Sequence, residues 1–475
     1  MYIKASEPLV LPYAENEKEY ISQGVEPCNA QKNGMVLSRQ WRVTFAGNEI
    51  PVYAVPVTHG GPHSFAIIEA TEKAVNLLIE STYPLRSAHI QDAFGILEHI
   101  CSDHTIELTE VRNPSMIVVE ANNHYRYPLS IFVVQPDEKP DPEDPNVIWF
   151  EPGIHRVRQL TLSSGQTVYL EKGALLLPEQ PDETDKILID SDWAGKPNYE
   201  DFFAAADQKD ITICGYGMID LTSLDWHARR TMVFTSCENV QIKNVLLNGA
   251  AHWTMVFFGC KDVHVDSVKI FGYRQNTDGI DIVDTHNAVI QNCFIRTGDD
   301  TICCKSMSLT PRLETKHIRV DGCMIWSDKV RCLGITGETK NDIYDVVFEN
   351  CRIVHSFADW TREVGSLAIV VSDSGRIHDI TFRNIHICQE SNFVVVCMII
   401  KDMWSTDDKA GHVDHIRFEN IVIPKDSMMF FENYDEEHQI QNVTFSNIWE
   451  EKQGNALEVK KYKYIKQKDC KHHLI

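Results

Sequence analysis

The chain has 475 residues, 43% hydrophobic and 24% charged, a globular composition with enough apolar material for more than one domain. Its formal charge of −23 argues against nucleic acid or an anionic membrane as a partner, since both call for basic patches. A long polyanion is an awkward ligand too, unless the cleft carries positive charge of its own.

At the start of the chain, Met1–Glu7 shows no basic segment followed by an apolar one, and no run of about 18 apolar residues occurs, so neither a signal peptide nor a membrane span is expected. A cytoplasmic location is the expectation, with secretion the alternative if a leader was trimmed. The fourteen cysteines form no CxxC pairs, and most fall in β-like strings, as Cys293, Cys323 and Cys351 do. Reduced core thiols are expected; a disulfide framework or a zinc site is the other reading.

Residues from about 33 to 136 read as β strings, among them Trp41–Phe45, Ser64–Ile68, Val75–Ile79 and Ser115–Val119, with β-branched and aromatic residues at period two. Short polar joins suggest an antiparallel β-sandwich over residues 1–140. His59, His63 and His104 read there as ordinary surface histidines. Gln135–Pro145, rich in proline and acid, reads as a linker.

After the linker a template recurs: apolar, x, apolar, x, Asn or a small residue, apolar. Nine copies begin at Ile211, Val240, Val263, Ala288, Ile318, Val346, Ile380, Ile416 and Val443, 23 to 36 residues apart, and the fifth position is Asn in six of them. No helical period shows between copies, and the intervals are too short for propeller blades. A parallel β-helix over 146–460 is predicted, with the Asn at a recurrent bend, bonded to the backbone and stacked on the next turn. Residues 461–475 should cap or fray from its end.

Three carboxylates stand out between the copies. Asp278 lies in Asn276-Thr277-Asp278-Gly279-Ile280-Asp281, and Asp299 and Asp300 lie in Gly298-Asp299-Asp300-Thr301-Ile302, one turn further on. Aligning apolar positions stacks Ile280, Ile302 and Leu333 inward, and it puts Asp278, Asp300 and Arg331 in one column. Asp281, Cys303 and Lys305 then face outward. Crowded carboxylates cannot all ionise cheaply, so at least one pKa should rise, as a general acid paired with a base requires. The bland readings are a surface cluster or a calcium site, although calcium takes about six to eight oxygens and no DxDxDG-type loop is present. Strict alternation cannot aim both Asp299 and Asp300 at one cleft, so a bend at Gly298 must break the parity.

The wording of this stretch, His252-Trp253-Thr254 through Asn276-Thr277-Asp278, Gly298-Asp299-Asp300 and Lys305-Ser306, resembles the polygalacturonase family, glycoside hydrolase family 28. The resemblance spans about 147–447 and implies a right-handed β-helix and an inverting hydrolase acting on a pectin-related poly- or oligosaccharide. It implies Asp299 as general acid, with Asp278 and Asp300 positioning and activating water. Inversion needs carboxyls roughly 6.5–9.5 Å apart. No cofactor or metal is implied. The chain departs from the family in two places: Arg331 stands where a GHG histidine is expected, and the place of the RIK cations falls near Ser366–Ala368 with neither cation, which puts galacturonate recognition in question. The sandwich and Val147–His155 are also similar to the dextranase and isopullulanase family 49, which acts on neutral glucans. A β-helix lyase or a non-catalytic glycan-binding protein are the rivals.

Secondary candidates for substrate contact are Arg331, Lys305, Trp253, Asp281, Arg274, Gln275 and Glu338. Each has a plainer alternative: an ion pair for Arg331, a solvated lysine for Lys305, and core packing for Trp253 and for Trp326, the other tryptophan considered for sugar stacking.

Overall fold

The computed structural model describes residues 1–13, 34–122, 124–182, 198–357, 364–388, 393–401, 404–451, 457–460 and 472–474. These residues contain strands and turns but no helix. The nine template copies lie on one parallel face in unbroken register, with Ile211 paired to Val240 and so on through Val263, Ala288, Ile318, Val346, Ile380, Ile416 and Val443. A second face continues from the first around the recurrent bend, and an eleven-stranded third sheet closes each turn, giving a right-handed parallel β-helix.

The bend has a backbone cause. The fifth template residue has φ between 52° and 105° in all nine copies, a region that Gly and Asn tolerate and most side chains avoid. The amides also form the expected ladder: Asn384 donates to Asn350 at 3.0 Å, Asn420 to Asn384 at 3.0 Å and Asn447 to Asn420 at 2.9 Å. A second left-handed column precedes every copy, at Asp210, Asn239, Asp262, Asn287, His317, Asp345, Asp379, His415 and Asn442, with φ between 51° and 58°. The template missed this column, although its Asn, Asp and His residues are the types that accept such a φ.

Inside the coil, like stacks on like. Phe348, Phe382, Phe418 and Phe445 stack at 4.9, 5.1 and 5.0 Å between ring centres. Each fully buried side chain of this size contributes about 1.5–3 kcal/mol. The twelve described cysteines are free thiols, most of them buried in this core.

Residues 34–134 form a five-stranded and a seven-stranded sheet packed around Trp41, Ile79, Ile90, Ile106 and Ile131. One pair departs from the antiparallel expectation: His63–Glu69 runs parallel to Leu129–Val134. The outer face of the seven-stranded sheet packs on the second face of the β-helix, where Phe65 meets Phe271 at 5.3 Å and Phe132 meets Phe294 at 5.3 Å. His63 is not a surface residue: it is fully buried in this seam, 2.9 Å from Arg296 and 2.8 Å from Ser130. Trp326 is equally buried there, so its role is packing. The first residues do not lie in the sandwich; Tyr2 and Ile3 pair with Trp149 and Phe150 on the first turn of the helix. Of the C-terminal tail, 461–471 lie outside the described residues, and His472–Leu474 pair antiparallel with Phe430–Glu432.

Candidate active site

Strands Met255–Phe258, Ile280–Val283, Ile302–Ser306 and Leu333–Thr339 pair in register on the third sheet, with Ile280 opposite Ile302 and Ile302 opposite Leu333. The ladder continues below them, with Thr254 N donating to Asp278 O, Gly279 N to Asp300 O and Thr301 N to Arg331 O. Asp278, Asp300 and Arg331 therefore share the expected column, and Trp253 extends it by one turn. All four line a groove of about 460 Å³, together with Asp299.

Asp299 reaches the groove because regular strand stops at Thr297 and restarts at Ile302. Gly298 breaks the parity as expected, but its φ is ordinary and close approach is the reason: a Cβ there would lie 2.5 Å from Arg274 O. The turn it presses against, 273–277, holds the acid. Asn276 N donates to Asp299 Oδ2 at 2.7 Å, and Asp300 N donates to Asp299 Oδ1 at 3.0 Å. Burial, and then the charges of Asp278 and Asp300, push the Asp299 carboxyl up to about 8. A carboxyl shifted in this direction holds its proton to higher pH than an ordinary aspartic acid.

That turn is itself anchored. Arg274 donates to Thr222 O at 2.7 Å and to Tyr273 Oη at 3.0 Å, and Thr277 Oγ1 donates to Arg274 O at 2.6 Å. Trp226 Nε1 donates to Gln275 O at 2.8 Å, and Thr58 Oγ1, from the sandwich, donates to Tyr273 O at 3.0 Å. Arg274 is consequently not a substrate contact: it is wholly buried away from the groove, because its guanidinium is needed by backbone carbonyls.

Two further readings need correction, a solvated Lys305 and Asp281 as a substrate contact, while Lys305 itself lines the groove. Lys305 lies on the outward face but is not solvated; it is buried, 2.9 Å from both Asp278 and Asp281, with its ammonium 4.0 Å from the centre of the Trp253 ring. Asp281 sits fully buried behind it, accepting from Cys303 Sγ at 3.1 Å, and does not line the groove. Burial pushes both Asp278 and Asp281 up, and the Lys305 charge pulls against that. Trp253 is likewise buried with the ammonium over its ring, although it also lines the groove. Gln275 and Glu338 do line the groove. Arg331 adopts the ion-pair geometry, with Nη1 3.1 Å from Asp300 Oδ2 and its backbone N donating to Asp300 Oδ1 at 3.2 Å.

Donor atoms of Asp278, Asp300 and Cys303 lie within 4.8 Å of one another, a spacing a metal ion accepts. The donor set fits one poorly, because the Lys305 and Arg331 cations already balance these acids and the thiol is engaged by Asp281.

Several lining residues were not among the candidates: Arg230, His252, Asn276, Met307, Leu309 and Trp404. His252 and Asn276 were visible inside the motif itself. Trp404 lies in a loop between strands, outside any template copy, so nothing in the period marks it.

A right-handed β-helix with three carboxylates meeting in one groove suits a carbohydrate-active enzyme. The chain belongs to glycosyl hydrolases family 28, whose family model matches residues 222–470. A probable polygalacturonase of Arabidopsis thaliana is 25% identical over 226 residues, covering 44% of this chain and 46% of that relative, so the match spans under half of the relative's length. Among solved structures, the hyperthermoactive exopolygalacturonase of Thermotoga maritima has a TM-score of 0.46 at 13% identity, covering 69% of this chain and 86% of that one. The family 28 exopolygalacturonase of Yersinia enterocolitica has 0.45 at 13%, covering 79% and 94%.

Proposed function

We propose that this hydrolase cleaves an O-glycosidic bond of a pectin-related poly- or oligosaccharide with inversion at the anomeric carbon. The observation that carries the reading is the environment of Asp299, a carboxyl pushed up to about 8 in a groove beside two other carboxylates. Asp299 gives its proton to the glycosidic oxygen as the bond to the anomeric carbon breaks. A water held by Asp278 and Asp300 attacks that carbon from the opposite face and passes its proton to one of them. Proton exchange with solvent then restores all three groups. Arg331, paired with Asp300, keeps that carboxylate aimed, and Lys305 balances Asp278 from within the wall.

A panel of pectic, arabinan and α-glucan oligosaccharides tests this, comparing wild type with Asp299→Asn. The expected result is cleavage by wild type and a loss of kcat of about 1,000-fold in the variant, with KM little changed. Undiminished turnover in Asp299→Asn contradicts the reading, and an unsaturated, ultraviolet-absorbing product would assign the protein to the lyases.

A further inference from the structure

We infer that Glu338 determines specificity, and that the sugar held beside it at the point of cleavage is neutral and hydroxyl-bearing rather than a uronate. This rests on the hydrolase reading above and specifies its substrate.

The first observation is how Glu338 reaches the groove. Cys304 pairs with Ile335 and Ser306 with Thr339, so Thr336, Gly337 and Glu338 together face Lys305 alone. Such a bulge gives up ladder bonds and re-aims a side chain, and bulges concentrate beside active sites. Gly337 permits the bulge with φ +74. The bulge is also pinned on its far side. Thr339 N donates to Asp373 Oδ2 at 3.1 Å, while Ser372 N and Asp373 N donate to Thr339 Oγ1 at 3.0 and 3.1 Å. The result is a carboxylate lining the groove, 3.9 Å from Lys305 Nζ and outside hydrogen-bond distance of it.

The second observation is the state of the cations. Among the described residues, three line the groove, and each is committed to an aspartate. Lys305 holds Asp278 and Asp281 at 2.9 Å, Arg331 holds Asp300 at 3.1 Å, and Arg230 grips Asp201 through two bonds of 2.8 and 3.0 Å. A sugar carboxylate entering here meets cations that are already paired, and the acidic Glu338, which burial pushes up and the Lys305 charge pulls down, offers it no positive charge. A sugar hydroxyl meets an acceptor it can reach, the partly exposed Glu338 carboxyl. Acceptors select donors, and hydroxyls are donors whereas carboxylates are not. Trp404 and Leu309 add apolar surface for the ring's C–H face.

The test compares neutral oligosaccharides from galactan, arabinan and α-glucan with oligogalacturonates of equal length. Wild type is expected to cleave at least one neutral substrate with kcat/KM at least about 100-fold above the oligogalacturonates. Glu338→Gln should raise KM for that substrate about tenfold with kcat nearly unchanged, and Glu338→Lys should move preference toward the uronate by a similar factor. Equal or faster cleavage of oligogalacturonate overturns the inference and leaves the hydrolase reading standing. If nothing is cleaved, the hydrolase reading falls, and calorimetric binding of the same sugars to Asp299→Asn decides the inference separately. Tighter binding of a neutral sugar supports it; tighter binding of oligogalacturonate, or of neither, overturns it. Glu338→Gln is close to isosteric and serves if the Lys variant does not fold.

Discussion

Asp299 differs from Asp278 and Asp300 in its neighbours. Asp278 has the Lys305 ammonium at 2.9 Å and Asp300 has the Arg331 guanidinium at 3.1 Å, while Asp299 is held by backbone N–H groups, with two acids nearby. Burial and those like charges place its carboxyl at about 8, so the protein should lose kcat as pH rises through about 8. Removing one like charge, in Asp300→Asn, should move the alkaline limb of the residual activity down by roughly a unit in a pH–rate profile. An unmoved limb would mean that another group carries the proton. The same shift couples to folding. The fold binds this proton more tightly than the unfolded chain, whose carboxyl titrates near 3.8. The stability so gained is full below that value and is lost as pH rises through about 8. At this scale the motif was legible, and the surroundings were not. Alternation put Lys305 on the outward face, but it could not say that Asp278, Asp281 and Trp253 would close around it. Arg274 lies in a turn, where alternation gives no direction at all.

The elements that matter most to the acid are irregular ones. The template copies were readable because every one needs the same left-handed bend, and Asn and Gly advertise that need. The turn at 273–277 carries no such repeat, and its anchors come from Thr222, Trp226 and Thr58. Thr58 is the informative one, since it reaches Tyr273 across a separation of 215 residues from the bend between strands Tyr53–Val55 and His63–Glu69. Sequence periodicity cannot register a contact of that range. If the bond helps hold Asn276 N against Asp299, Thr58→Val should lower kcat about tenfold with KM unchanged, and Thr58→Ser should restore it. A Thr58→Val enzyme with wild-type kcat would reduce the contact to plain packing. The bulge at 336–338 was hidden in the same way: Glu338 was a candidate, but only the register shift explains how it reaches the groove.

Across the whole molecule, the sandwich and the β-helix share a buried polar seam. Arg296 and Asp328, both without exposure, pair at 2.9 Å, and Arg296 also reaches His63 at 2.9 Å. Thr58 N donates to Asp328 Oδ2 at 3.2 Å. Arg296 is two residues from Gly298, so the seam that joins the two parts also fixes the strand that leads into the acid. A chain of −23 carries little net positive charge for a polyanion. Among the described residues, the cations that line the groove are paired with aspartates. Acid–base chemistry at Asp278, Asp299 and Asp300 fixes which anomer is released first. Proton NMR should follow hydrolysis by wild type of an oligosaccharide cleaved in the panel, before mutarotation sets in. The first product is expected to have inverted anomeric configuration; a retained anomer would rule out the proposed acid–base mechanism.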